Sequence, residues 1–286
     1  MGIKRIGFIG LGAMGLPMAK NLQKNGYELH VTAHSNRKPV EELTAGGAIE
    51  HKTVADIVAN CDVLISILPT DKEMESVLLA EEVLKELTSD KKLIEMTSGS
   101  PAMMKKLYDV YHEIGVPVLD APVSGGTAGA ENGTLTVMVG GEETVLKESR
   151  ELIMAMAAKI YLVGAIGAGK AIKAINQMLA SIHMIASAEA VALAEELEID
   201  KEQLRNVIGS SSGASWMLNA KLDSLTDRNF EPGFKLKLMK KDVKIAVDEA
   251  GNLNLPLVTA ALELYEEAEQ EFGDLDFSAV GKKSLK

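Results

Sequence analysis

Three stretches of this chain combine residue types that can hold anions or move protons. The first is Gly10-Leu11-Gly12-Ala13-Met14-Gly15, which follows the apolar run Ile3 to Ile9 and opens a helical period through Met18, Ala19 and Leu22. A G-x-G-x-x-G turn between strand and helix suits a pyrophosphate. Gly10 permits the tight turn, Gly12 lets the backbone approach the phosphates, and Gly15 lets the helix pack on the strand. The diphosphate then rests on the N–H groups that the first helical turn leaves unpaired. Leu11, Ala13 and Met14 complete this cofactor turn.

A fold of this kind that prefers NAD places Asp or Glu about 20 residues further on, to accept hydrogen bonds from the adenosine ribose. Here the second strand, Glu28 to Ala33, ends in His34-Ser35-Asn36-Arg37-Lys38. This segment has no carboxylate, and Arg37 can grip a 2′-phosphate in a charge-assisted pair, so NADPH is expected as cofactor with NAD bound more weakly.

The second stretch is Asp120-Ala121-Pro122-Val123-Ser124-Gly125-Gly126. Ser124 offers a hydroxyl, and Gly125 and Gly126 can turn backbone N–H groups toward a substrate carboxylate; an ordinary turn reads the same way. The third is Gly167 to Gln177, entering a long apolar helix. At about 100° per residue, Lys173, Asn176 and Gln177 share one face. Lys173 either snorkels from the first turn or faces a cavity as a proton donor. His183 sits about 80° from that face by the same arithmetic and reads as a packed or interface histidine.

The elements that must position these groups follow from the rest of the chain. Its 286 residues suffice for about two domains. Short apolar runs at Val63 to Leu68, Leu93 to Met96 and Val116 to Leu119 alternate with helical stretches around Glu73 to Leu87 and Pro101 to Ile114. That rhythm predicts βαβ units in a mainly parallel sheet, an α/β fold of Rossmann type. Thr134 to Val139 and Ile160 to Val163 complete the sheet. From Gly169 only helix signals remain, so the expected division is 1–164 for the cofactor domain and 165–286 for an all-α domain. The latter begins with a long interdomain helix, about 169–197. Ala171 to Leu193 is apolar enough to raise a membrane question, yet it carries Lys173, Asn176, Gln177, His183 and Glu189, which favours a buried helix. No membrane partner is expected.

With 30 basic against 41 acidic residues the net charge is −11, which disfavours nucleic acid as a partner. Five histidines and one cysteine show no metal-ligand spacing, so no metal is expected. Cys61 alone cannot form an internal disulfide, and no secretory signal opens the chain, so a reducing cytoplasm is the expected location.

Taken together, the motifs resemble those of the β-hydroxyacid dehydrogenases, the family of 3-hydroxyisobutyrate dehydrogenase, tartronate semialdehyde reductase and the glyoxylate/succinic semialdehyde reductases. The likeness spans Gly7 to Gly15, Asp120 to Gly126, Gly167 to Gln177, and Asp227 to Phe234 running on to Asp242. It implies a reversible hydride transfer between NADP(H) and a small semialdehyde or 2-oxo acid. Lys173 would be the general acid/base, Ser124, Gly125 and Gly126 the carboxylate cradle, and Asn176 a substrate contact. Thr97 and Lys241 would lie near the nicotinamide, and Leu68 and Pro69 would line the cofactor groove. Many relatives carry Asn where this chain has Gln177; the pairing here, Asn176 followed by Gln177, looks closest to the tartronate semialdehyde reductases and leaves open how the two residues divide the substrate role. An imine reductase and a non-catalytic cofactor-binding scaffold are the rival readings, and Lys173 speaks against both. A homodimer or homotetramer is expected, because helical second domains of this sort bury apolar faces between subunits.

Overall fold

The computed structural model describes residues 3–285. Their backbone divides into two compact units, 1–173 and 174–286. In the first unit the phosphate turn joins β1 (Arg5–Ile9) to α1 (Gly15–Lys24), followed by β2 (Glu28–Val31), α2 (Lys38–Ala45) and β3 (Ile49–Glu50). Then come α3 (Val54–Asn60), β4 (Val63–Ser66), α4 (Asp71–Leu78), α5 (Glu81–Leu84), β5 (Lys92–Glu95) and α6 (Pro101–Ile114). The unit closes with β6 (Val118–Asp120), β7 (Val123–Ser124), α7 (Gly126–Asn132), β8 (Leu135–Gly141), α8 (Glu143–Met154) and β9 (Ala157–Gly164).

The strands form one sheet in the order β3-β2-β1-β4-β5-β6-β8-β7, with β9 paired to β8. Strands β1 to β6 run parallel; β8 is antiparallel to β6 and β7 and parallel to β9. The chain order reverses between β1 and β4, where an open parallel sheet leaves a crevice at its carboxyl edge. Apolar residues cover both faces of the sheet: Phe8, Leu22, Val31 and Ile65 belong to one cluster, and Ile57, Leu64, Leu93 and Leu107 to the other. These strands therefore read as continuous apolar runs.

Local chemistry sets the helix ends. Ser100 accepts from Met103 N–H at 3.0 Å, Pro101 takes the first helical position, and Gly115 ends α6 in the left-handed region at φ 82°. Two helices lie outside the sequence expectation. One is α3, begun by the reciprocal Thr53–Asp56 cap; the other is α7, seven residues after Gly125. The helical stretch expected at Glu73 to Leu87 is split into α4 and α5.

Helix α9 (Ala168–Glu196) starts in the first unit and continues into the second. It is long and apolar enough to cross a membrane by composition, but its buried residues include Lys170, Gln177, Ser181 and Ser187. The second unit adds α10 (Lys201–Gly209), α11 (Trp216–Thr226), α12 (Leu236–Glu249), α13 (Pro256–Phe272) and a 3-10 segment, Phe277–Lys283. Met184, Leu222, Leu236, Val243 and Tyr265 lie in its core. Asp276 is its polar pin, accepting from the N–H groups of Gly233, Phe234 and Ser278 and from Lys221 Nζ at 2.8 Å. That pin holds the segment after Asp227 to the start of the 3-10 segment, which Asp276 caps.

Cys61 is buried among apolar side chains, and burial pushes its thiol up to about 11. At pH 8 only about a thousandth of it is thiolate. A thiol reagent such as Ellman's is expected to label Cys61 no faster than the protein unfolds; rapid stoichiometric labelling of the native protein would contradict this burial.

Candidate active site

The phosphate turn lies at the sheet's reversal point. Gly10 adopts φ +96°, and a Cβ there would stand 2.0 Å from the Ile67 carbonyl oxygen; a Cβ on Gly15 would stand 1.8 Å from the Gly10 carbonyl oxygen. Both positions are closed to any side chain. Gly12 differs, because its Cβ would meet no protein atom within 4 Å. The start of α1 has no side-chain cap and no acidic residue in its first turn. Its N–H groups and the space over Gly12 thus fit the pyrophosphate of a dinucleotide. Leu68 N–H donates to Thr97 Oγ1 at 2.8 Å, so Leu68, Pro69 and Thr97 share one edge, reached from the turn through Ile67. The sequence placed all of these near a cofactor, and the fold brings them together.

At the end of β2 the residues expected to hold the cofactor have acidic neighbours that the local sequence does not show. His34, Ser35, Asn36 and Arg37 form an exposed loop before α2, and Asn36 Oδ1 accepts from Lys38 N–H at 3.2 Å. The loop is free of carboxylates in sequence but not in space. Arg37 Nη2 donates to both carboxylate oxygens of Glu50 at 2.9 and 3.0 Å, with Glu41 Oε1 3.9 Å from its Nε. Glu50 ends β3, and only the pairing of β3 with β2 reveals it as Arg37's neighbour.

The two lysines that open α9 have different surroundings. Lys170 is fully buried: Nζ donates to Glu95 Oε2, to Thr97 O at 2.6 Å and to Glu95 O at 3.3 Å, with Asp120 Oδ1 at 3.4 Å. Its three protons are spent in the interior, so it cannot reach a substrate. Glu95 Oε1 accepts from Thr97 N–H at 3.1 Å and Ser66 Oγ at 3.3 Å. Asp120 Oδ2 caps the helix, accepting from Gly167 N–H at 3.0 Å and Lys170 N–H at 3.1 Å, while its Oδ1 accepts no hydrogen bond. Burial raises the Asp120 carboxyl above the usual carboxylate range, and the Lys170 ammonium opposes only part of that rise. Lys173, three residues on, is half-buried.

Sequence reading had left Lys170, Glu95 and Asp120 without a role, although a signal was present. Glu95 and Asp120 each close a strand directly after two apolar residues, and a carboxylate buried there needs a partner.

Ser124 ends β7 in register with Thr136 of β8. Gly125 and Gly126 follow at φ 137° and 64° and expose their backbone at the start of α7. In the second unit, Gln177 is buried and its Nε2 donates to Asp242 Oδ2 at 2.8 Å; Lys241 Nζ lies 2.9 Å from Asp242 Oδ1. Asn176 Nδ2 donates to Gln177 Oε1 at 3.0 Å. Asn176, Gln177 and Lys241 therefore meet around the buried Asp242, which sequence reading missed. His183 is exposed, so the core-packed alternative for it falls. Among the described residues no group of three His, Cys, Asp or Glu could hold a metal ion.

Two family models match the chain. One, described as the NAD binding domain of 6-phosphogluconate dehydrogenase, covers residues 5–164. The other, described as NAD-binding of NADP-dependent 3-hydroxyisobutyrate dehydrogenase, covers residues 167–283. The chain is 36% identical to an NAD-dependent L-serine dehydrogenase of Pseudomonas aeruginosa, over 98% of this chain and 97% of that protein. It is 35% identical to the 2-hydroxy-3-oxopropionate reductase of Escherichia coli, over 96% and 95%. A solved structure of Mycobacterium tuberculosis 3-hydroxyisobutyrate dehydrogenase with L-serine matches with a TM-score of 0.89 at 32% identity, covering 99% of each chain.

The three glycines separate fold from ligand. Gly12→Ala is expected to keep the melting temperature and to weaken dinucleotide binding at least about 10-fold, read by fluorescence titration. Gly10→Ala and Gly15→Ala are each expected to cost about 2–4 kcal/mol of stability. Equal thermal loss in all three would mean that the space over Gly12 is not a ligand's.

Proposed function

The chain belongs to the β-hydroxyacid dehydrogenase family of NAD(P)-dependent oxidoreductases, and on that premise we propose that it reduces a small carboxylate-bearing semialdehyde or 2-oxo acid reversibly, with Lys173 as general acid/base. The observation that carries this reading is the division between the two lysines at the start of α9. Lys170 is consumed in the interior, which leaves Lys173 as the ammonium of the motif with part of its surface open. The names of the relatives support the substrate class: serine, 2-hydroxy-3-oxopropionate and 3-hydroxyisobutyrate each join a carboxylate to a nearby oxygenated carbon.

The turn from Gly10 to Gly15 would hold the pyrophosphate, and Leu68, Pro69 and Thr97 would line the groove toward the ring. When bound, the nicotinamide supplies or accepts the hydride at the substrate carbonyl carbon. Ser124 and the N–H groups of Gly125 and Gly126 hold the substrate carboxylate, and Asn176 orients it. In the reducing direction the Lys173 ammonium attracts the developing alkoxide and gives it a proton, becoming a neutral amine that solvent reprotonates. Oxidation of the hydroxy acid runs the same steps backward.

NADPH is the proposed cofactor, with Arg37 turning from Glu50 to the 2′-phosphate. Exposed apolar residues on α9, Ile172, Ile175 and Leu179 at 39, 50 and 47% exposure, recur at helical spacing and support a homodimer or homotetramer. A cytoplasmic setting suits the single buried thiol.

Lys173→Ala is expected to lower turnover by about 10²- to 10⁴-fold while NADPH binding stays within about 2-fold, assayed against glyoxylate and succinic, methylmalonic and tartronic semialdehydes. A fully active variant removes Lys173 from the chemistry. For the cofactor, Arg37→Ala is expected to raise the NADPH Kd by about 10-fold. Glu50→Gln should lower it by about 2- to 5-fold, the range an exposed ion pair supplies, with NADH little changed in both. A loss of NADH affinity in Glu50→Gln with NADPH unaffected would instead make Glu50 a ribose ligand and reverse the assignment.

A further inference from the structure

The geometry points to Lys170 as a positioning residue for the reaction, a buried tie that sets where Lys173 and Thr97 stand; this inference rests on the reading of Lys173 given above. Lys170 lies three residues before Lys173, so the two are separated by less than one helical turn. Its ammonium does not merely neutralise charge. It donates to the Thr97 carbonyl at 2.6 Å and to the carboxylate and carbonyl of Glu95, thereby holding both sides of the turn that leaves β5. The same turn is held by its own hydrogen bonds, Thr97 N–H to Glu95 Oε1 at 3.1 Å and Leu68 N–H to Thr97 Oγ1 at 2.8 Å.

The helix start is fixed from the other side by Asp120, which accepts from the N–H groups of Gly167 and Lys170. Gly169 leaves no room for movement toward the sheet: a Cβ there would stand 2.6 Å from Met138 O and 2.8 Å from Asp120 O. The first turn of α9 is thus pressed on β8 and tied to the carboxyl ends of β5 and β6 by one side chain. Displacing that turn displaces Lys173 and Thr97 together.

A purely structural salt bridge could be exchanged for any charge-balanced, well-packed pair, whereas a positioning tie needs the Lys170 ammonium donating to Thr97 and Glu95. Lys170→Met alone leaves Glu95 and Asp120 without their cation. The double variant Lys170→Met with Glu95→Gln returns the cluster to its wild-type net charge, with Asp120 the one carboxylate left, and keeps the bulk, so it remains informative if the single variant does not fold. The experiment compares melting temperature, NADPH Kd without substrate, and kcat and KM for each variant on the substrate that the wild type turns over best, with Lys173→Ala beside them.

Expected for the double variant are a melting temperature closer to wild type than that of Lys170→Met and an NADPH Kd within about 2-fold of wild type. Its kcat should fall by about 10- to 100-fold, the loss that a misplacement near 1 Å produces, with KM changed less than kcat. A double variant that folds and turns over at the wild-type rate overturns the proposal, and so does a kcat loss that tracks the loss of folded protein. An active Lys173→Ala would sink the reading of Lys173 itself. Inactive Lys173→Ala beside a fully active double variant would sink only the tie.

Discussion

The first unit is organised around one buried cation facing two carboxylates. Strands β5 and β6 end side by side at Glu95 and Asp120, each fully enclosed, and Lys170 is the ammonium that enters between them. A buried pair of this kind adds little net stability compared with apolar residues of equal volume, because desolvation consumes much of the attraction. Losing one partner is different and costs about 3–5 kcal/mol, since a charge is then stranded. The arrangement therefore gives specificity of position more than stability. It requires the start of α9 to meet the sheet at one place, where Asp120 also caps the helix backbone.

The negative excess within this cluster has a physical consequence. One ammonium cannot balance two carboxylates, and Asp120 Oδ1 accepts no hydrogen bond while burial raises its carboxyl. Glu95 is the better solvated of the two by protein groups, receiving Lys170, Ser66 and the Thr97 N–H. Asp120 receives two backbone N–H groups on one oxygen only. The asymmetry of donors, rather than the residue types, distinguishes the two carboxylates.

How much of this was legible follows from the range of each interaction. The glycine turn was legible because its strand, turn and helix are contiguous, and the main strands because apolar runs of four to seven residues need no partner to be seen. Helix α3 escaped although Thr53 and Asp56 carry its cap, since seven residues give too few apolar positions to show a period. The helix expected over Glu73 to Leu87 breaks where Ala80 turns to an extended conformation, a single residue that no period reveals. Glu50 escaped for a different reason. It lies 13 residues from Arg37, and only the parallel register of β2 with β3 brings that carboxylate beside the loop. Lys170 was hidden by its neighbour, because Lys173, three residues on, offered a chemical role that drew the reading to itself.

The same logic distinguishes the surroundings of Asn176 and Gln177, whose division of labour the sequence leaves open. Gln177 is buried, with its amide nitrogen given to Asp242 and its amide oxygen receiving Asn176. Asp242 is itself buried and holds Lys241 on its other oxygen, so the Gln177–Asp242 hydrogen bond is a strut between α9 and α12. The glutamine amide reaches Asp242, while Asn176 stands half-buried beside it with its amide nitrogen given to Gln177 Oε1. Gln177 is thus a brace within the second unit, joined directly to Asn176 and, through Asp242, to Lys241.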